Sequence, residues 1–319
     1  MAYVWSQAWV HLALLSGQTI NGLASVVAKV GLPRLNPVFF ALLREVIATP
    51  LLMVVACLAQ GWPQVHRKDL PLLSSAAFAL FSNQLAYIAG LKLENPAVGS
   101  AWQPSQPIFV LALAVLLRWE RCTVPKTAGI FSALAGGAVM TFCAPGAANG
   151  RRNSEVVGNL LFFYNCVMTA VFVLCMRVIT KRMPAFHALW VVYMAASVLI
   201  FLVALAVSAS EDLQNFFCPD CTESFWVLPS GALFALAYWI LGSSVTAYLL
   251  LTFGTKHAQD ATHCLAYTAM QPVVAGSLET AMVLAGWNEG HPGSKLELLN
   301  GFQVCGGCLV VFGVACVAC

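Results

Sequence analysis

The sequence predicts an all-α polytopic membrane protein, with ten transmembrane helices arranged as two inverted five-helix repeats. Three observations predict it. First, the 319-residue chain is 60% hydrophobic and only 9% charged, whereas soluble domains hold about 45–50% apolar and about 25% charged residues. Second, charge-poor apolar runs of spanning length, about 20 residues, recur along the whole chain. Third, short motifs of the first half return in order in the second. So apolar a chain must satisfy its backbone internally, as helix or closed barrel. A barrel would alternate in segments of about 10 residues, and these runs do not alternate. The net charge of +3 comes with no clustered basic face, which argues against a nucleic-acid partner.

Eight runs are free of charge. Helix 1 lies within residues 5–28, helix 3 within 70–91, helix 4 within 95–117 and helix 5 within 127–144. Helix 6 lies within 156–176, helix 7 within 183–208, helix 8 within 231–255 and helix 10 within 298–319. Two more spans carry charge: helix 2 (38–60) holds Arg44 and Glu45, and helix 9 (261–285) holds Glu279. The N-terminal stretch Met1-Ala2-Tyr3-Val4-Trp5 has no basic residue, so helix 1 is expected to stay uncleaved. The loops are short except 209–230, which leaves no room for a soluble catalytic domain.

Orientation follows the basic residues of the loops. Arg67, Lys68, Arg118, Arg121, Lys126, Arg177, Lys181, Arg182 and Lys256 fall on one side. Lys29, Arg34, Lys92, Arg151, Arg152 and Lys295 fall on the other. The richer side carries both termini, which are therefore expected to be cytoplasmic, in a plasma membrane or an endomembrane. The long loop faces the opposite compartment with Cys218-Pro219-Asp220-Cys221. Disulfides persist there, so Cys218 and Cys221 form a candidate disulfide, with a redox or metal pair as the alternative. Nine other cysteines, Cys57 to Cys319, sit in apolar runs, where the thiol behaves as a small hydrophobe.

The repeat is legible in matched motifs. Leu85-Ala86-Tyr87 corresponds to Thr246-Ala247-Tyr248, Gln106-Pro107 to Gln271-Pro272, and Gly136-Gly137 to Gly306-Gly307. Trp119-Glu120 leading to Lys126 corresponds to Trp287-Asn288-Glu289 leading to Lys295; Lys29 and Pro37 align more loosely with Arg177 and Pro184. The halves are residues 1–150 and 151–319. An odd number of spans per half forces opposite topologies, a recurring plan of secondary transporters with the site at the repeat interface.

Lys29, Leu42-Leu43-Arg44, Pro50, the stretch from Asn83 to Leu91, Pro107, Trp119-Glu120-Arg121, Lys126 and Gly129 carry a family likeness. On these residues the chain resembles the drug/metabolite transporter superfamily, and within it the EamA-type transporters. The first half is similar to the plant "walls are thin"-related members. The resemblance implies a ten-helix metabolite carrier.

Candidate site residues follow from polar chemistry at membrane depth. In helix 4, Trp102-Gln103-Pro104-Ser105-Gln106-Pro107 places two prolines near mid-span. Each removes a helical bond and frees a carbonyl, here of Ser100 and Gln103. Pro272 repeats this in helix 9, freeing Thr268. Free backbone at that depth is tolerated against protein or a wet cavity. Polar side chains flank these kinks at helical spacing: Gln18 and Asn21 in helix 1, Asn83, Gln84 and Tyr87 in helix 3, and Gln103 and Gln106 in helix 4. Tyr164 and Asn165 in helix 6, Ser244 and Tyr248 in helix 8, and His263, Tyr267 and Gln271 in helix 9 complete the set. The alternative for each is interhelical glue. The glycines at seven-residue spacing, Gly129 and Gly136, Gly306 and Gly313, are read as helix-packing positions.

The intramembrane charges are functional candidates. Arg44 and Glu279 lie at matching depth, roughly 9 Å inside the span at about 1.5 Å per residue, which permits an ion pair between them, with Glu45 the rival partner of Arg44 and snorkelling to the nearby interface the alternative. The six histidines lie on mostly different elements, without paired spacing or an acidic cluster, so no metal, no cofactor and no enzymatic activity are expected. The reading is a secondary carrier of small organic metabolites, amino acids, aromatic acids or similar amphiphiles, working by alternating access. It acts with the lipid bilayer and a small-molecule substrate as partners, as a monomer or homodimer. The competing classes are a channel or non-transporting scaffold and, behind it, a membrane enzyme.

Overall fold

The computed structural model describes residues 2–31, 35–62, 65–94, 96–119, 123–142, 151–218, 221, 224–257, 267–290, 296 and 301–318. Among them the chain is helical, with no strand. The helices are α1 (Ala2–Gly31), α2 (Pro37–Gln60), α3 (Leu70–Leu93), α4 (Pro96–Trp102), α5 (Gln106–Leu116), α6 (Val124–Phe142) and α7 (Arg151–Ile179). They continue with α8 (Ala185–Ser208), α9 (Glu211–Phe217), α10 (Leu233–Tyr238), α11 (Tyr248–His257), α12 (Met270–Leu284), α13 (Trp287–Gly290) and α14 (Gly301–Ala318). Six helical stretches among the described residues are long and apolar enough to cross a membrane: Ala8–Gly31, Pro37–Gln60, Arg67–Leu93, Val156–Ile179, Ala185–Ser208 and Ser230–His257.

Local chemistry sets the helix ends. Asn36 caps α2 by accepting the Val38 N–H at 3.0 Å, and Pro37, which has no N–H to leave orphaned, starts the helix. Gly61 stops it at φ 79, a left-handed conformation that favours glycine.

The packing has a regular plan. α2 lies against α8, and α6 against α14. α7 is flanked by α3 and α5, while α1 is flanked by α12 and by the stack of α10 and α11. The α6–α14 contact is close. Ser132 donates to the Leu309 carbonyl at 2.9 Å, and a Cβ on Gly136 would lie 2.5 Å from the Gly306 carbonyl.

Two elements differ from the continuous helices that the apolar runs predict. Helix 4 is broken: α4 ends at Trp102, Gln103–Ser105 form a 3-10 turn, and α5 resumes at Gln106. The prolines at 104 and 107 remove the helical donors to the Ser100 and Gln103 carbonyls; the Gln106 N–H takes the Gln103 carbonyl, and side chains add bonds to neighbouring carbonyls. Gln103 Nε2 donates to the Gly99 carbonyl at 3.2 Å and Ser105 Oγ to the Trp102 carbonyl at 2.6 Å. Helix 8 contains a nine-residue π segment, Trp239–Ala247, between α10 and α11. Thr246 Oγ1 reinforces it by reaching the Leu241 carbonyl five residues back, at 2.7 Å. Such segments are rare and frequently mark functional sites.

The two ends of the bundle are told apart by their contacts. At one end the segment from Ala209 folds over the start of α2, with Trp226 edge-on to Phe39 at 5.6 Å and Cys218 bonded to Cys221. At the other, Arg182 pairs with Asp69 at 3.2 Å and α11 ends near Lys256. These are called the Cys218 end and the Lys256 end below.

Candidate functional site

A cavity runs along the middle of the bundle. From the first half it is lined by Gln18 and Asn21 of α1, Arg44 of α2, Asn83, Gln84 and Tyr87 of α3, and Gln103 and Gln106 beside the kink. From the second half come Asn165 of α7, Trp239 and Ser243 of the π segment, Tyr248 of α11 and Gln271 of α12. The 3-10 turn at Gln103–Ser105 touches a second one at Tyr267–Ala269. The first turn runs straight into Gln106-Pro107 and the second reaches Gln271-Pro272 one residue later, after Met270, so the two kinks meet.

The amides are held in place by each other. Gln103 Nε2 donates to Asn165 Oδ1 at 3.2 Å, and Asn165 Nδ2 to the Asn83 carbonyl at 3.0 Å. Gln106 Nε2 donates to Gln103 Oε1. Across the cavity Gln271 Nε2 donates to Gln18 Oε1 at 2.5 Å. Ser243 donates to Asn21 at 2.9 Å. Gln84 Nε2 is shared by the Tyr193 and Tyr248 hydroxyls, each at 3.1 Å.

Arg44 is the cation of the cavity wall and is 2% exposed. Its Nη2 donates to Glu45 Oε1 at 2.9 Å, and its guanidinium sits 5.0 Å from the centre of the Trp239 ring. This differs from the Arg44–Glu279 pair that matching depth permits. α2 packs on α8, α3 and the π segment, whereas α12, which carries Glu279, packs on α1 and α4. Equal depth did not make them neighbours, and Glu45 is the partner. The buried polar atoms without a hydrogen-bond partner include Arg44 Nε, Asn83 Nδ2 and Gln84 Oε1. Buried polar groups are rarely left so, and these three belong to residues that line the cavity.

The cavity is one-sided. Its walls reach Thr180, just past α7, and Thr255 in the last turn of α11, both at the Lys256 end. Towards the Cys218 end they stop at Arg44, Tyr87 and Trp239, roughly two helical turns short of the helix ends.

Other expected residues lie elsewhere. Trp102 is buried beside the cavity and donates to Asn159 at 2.8 Å. Tyr164 is on the same helix as Asn165 but 37% exposed, because adjacent helical residues point about 100° apart. Ser244 is buried behind Ser243. Tyr267 bonds His11 through its hydroxyl and packs beside Leu14 and Leu251. Glu279 is buried in α12. His263 lies outside the described residues, as do Glu120 and Arg121 of the family motif. Among the described residues no three His, Cys, Asp or Glu side chains gather as a metal site would require. The sequence reading missed Thr169, Phe172, Val173, Met176 and Thr180, which line the cavity. They continue the Asn165 stripe of α7 at spacings of three and four, a signal that was available. It missed Trp239 as well, whose position depends on the π segment.

Residues 8–142 match the model of the EamA-like transporter family. The "Uncharacterized transporter YetK" of Bacillus subtilis (strain 168) is 26% identical over 250 residues, 76% of this chain and 73% of that protein. An "Uncharacterized transporter" of Archaeoglobus fulgidus is 30% identical over 167 residues, 51% of this chain and 55% of that protein. A crystal structure of a protein 20% identical in sequence aligns with 98% of this chain and 97% of its own length at a TM-score of 0.62, a likeness of fold. Together with the apolar helices, the family match and the relatives support a multi-pass membrane transporter.

Proposed function

Starting from the EamA-like match over the first half, we propose that the chain is a secondary carrier of small organic metabolites working by alternating access. The observation that carries this reading is the one-sided cavity between the two Gln-Pro kinks. A carrier needs a central site reachable from one side at a time. Inverted-repeat transporters put it at midplane between broken helices.

The proposed architecture is ten spans in two inverted repeats, residues 1–150 and 151–319. The contact plan supports it. An exchange of halves turns the contacts of α7 with the third and fourth spans into those of α1 with the eighth and ninth. The α2–α8 and α6–α14 contacts map onto themselves. A channel or scaffold needs no such symmetry. Within the superfamily, the first half is proposed to stand near the plant "walls are thin"-related members.

The substrate is proposed to be an amino acid, aromatic acid or similar amphiphile. The cavity volume of about 110 Å3 is below the roughly 300–1,000 Å3 of sites for drug-sized ligands. Amides, phenols and Trp239 suit an amphiphile, and Arg44 offers a donor to a carboxylate. Thermal-shift screening of a metabolite library, then counterflow in proteoliposomes, tests the reading. A carrier transiently concentrates labelled substrate against unlabelled, whereas a channel only equilibrates it.

Both termini are proposed to face the cytoplasm, in a plasma membrane or an endomembrane, with the Cys218 end outside. After mild reduction of sealed, oriented vesicles, an impermeant thiol reagent is expected to label Cys218 or Cys221. Labelling of Cys122 instead would reverse the orientation. The protomer is proposed to work as a monomer or homodimer.

A further inference from the structure

We propose that Lys29, Glu94, Trp102 and Asn159 form the latch that keeps the Cys218 end of the cavity closed. The inference rests on the carrier reading and adds to it the residues that hold the gate.

The four come from different elements. Lys29 is in the last turn of α1, Glu94 directly follows α3, Trp102 ends α4, and Asn159 lies in the third turn of α7. Asn159 joins the others. Its side-chain carbonyl accepts from Trp102 Nε1 at 2.8 Å, and its amide donates to Glu94 Oε2 at 3.2 Å. Lys29 Nζ donates to the backbone carbonyls of Glu94 at 3.0 Å and Leu91 at 3.4 Å. Helix 1, the hairpin of helices 3 and 4, and helix 6 are thereby tied together across the proposed interface of the halves.

Position and chemistry both suit a gate. Phe162, fully buried, lies one turn from Asn159 and packs on Tyr87 with ring centres 5.7 Å apart. Tyr87 is where the cavity ends. A Cβ on Gly99 would come within 2.8 Å of the Phe162 ring, so no passage is left there. The latch therefore closes the path between the blind end of the cavity and the Cys218 end. It is polar, so water replaces its hydrogen bonds when it parts. Exchange of one partner for another keeps the net value of each bond small, which a repeatedly opening contact requires.

The test uses the full chain in lipid nanodiscs, with spin labels carried on p-acetylphenylalanine so that the native cysteines stay untouched. One pair, at Val30 and Val157, spans the latch. The other, at Lys181 and Lys256, flanks the mouth at the opposite end. Distances are measured by pulsed electron paramagnetic resonance in the parent and in Trp102→Phe and Asn159→Leu variants. Trp102→Phe keeps an aromatic ring and removes one donor, which guards against loss of fold. Each lost bond is expected to raise the population open at the Cys218 end by about 2- to 12-fold. The Val30–Val157 pair should gain a longer component and the Lys181–Lys256 pair a shorter one. Lengthening at the first pair alone means loosened packing and overturns the gate, and so does no change at either pair. Counterflow tests the carrier reading separately, so the two failures are distinguishable.

Discussion

Arg44→Met is expected to lower stability by about 3–5 kcal/mol, and adding Glu45→Gln to restore most of the loss. Both side chains are fully buried and 2.9 Å apart. They are chain neighbours, a spacing at which helical side chains diverge, so the long arginine arm has to fold back to make the pair. Removing the guanidinium orphans a carboxylate in a medium that solvates charge poorly, and this orphaned charge dominates the cost. Neutralising Glu45 as well removes the orphan. Unfolding in mixed micelles of dodecylmaltoside and SDS measures both variants. A loss below about 0.5 kcal/mol for Arg44→Met would mean that the arginine finds water, as surface pairs do. The same titration run as a double-mutant cycle with Glu279→Gln should give near-additive losses, because α2 and α12 pack on different neighbours. Strong coupling between Arg44 and Glu279 would restore the pairing that depth alone suggests.

Gly136→Leu is expected to cost about 1–3 kcal/mol, the usual range for overpacking a close contact. The added Cβ would meet the Gly306 carbonyl at 2.5 Å. That neighbour is backbone, so the clash is relieved only by moving α6 away from α14. The shift would also lengthen the Ser132–Leu309 hydrogen bond. Gly276→Ala in α12, where a Cβ meets nothing within 4 Å, serves as the clash-free control and should hold or raise the melting temperature. Equal melting temperatures for the two variants would show that the α6–α14 contact tolerates separation.

Much of the helical layout was legible because the signal is composition over long runs. The six spanning helices begin and end within a few residues of the apolar runs that predicted them. The broken helix at Gln103–Ser105 was legible because proline removes a donor wherever it sits. The amides were legible as a set because Gln and Asn are rare at such depth. Register within a helix was harder. Asn165 faces the cavity while its neighbour Tyr164 does not, and Ser243 rather than Ser244 lines the wall. In helix 8 the π segment changes which residues share a face, and no local motif announces it. The Arg44–Glu279 pairing failed for a different reason: depth along the membrane normal is readable from sequence, but position around the bundle is not. The cavity's one-sidedness depends on how the helices tilt against one another, which neither periodicity nor composition encodes.

The central claim is that the space between the two Gln-Pro kinks is the transport site. Its most direct test is the affinity of the purified protein for whichever metabolite the library screen identifies, measured with Gln106→Ala and with Gln271→Ala. Each change should weaken binding by roughly 2- to 12-fold, the worth of one neutral hydrogen bond of about 0.5–1.5 kcal/mol, while the melting temperature stays nearly unchanged. Unchanged affinity together with a lowered melting temperature would contradict the claim and leave Gln106 and Gln271 as interhelical glue.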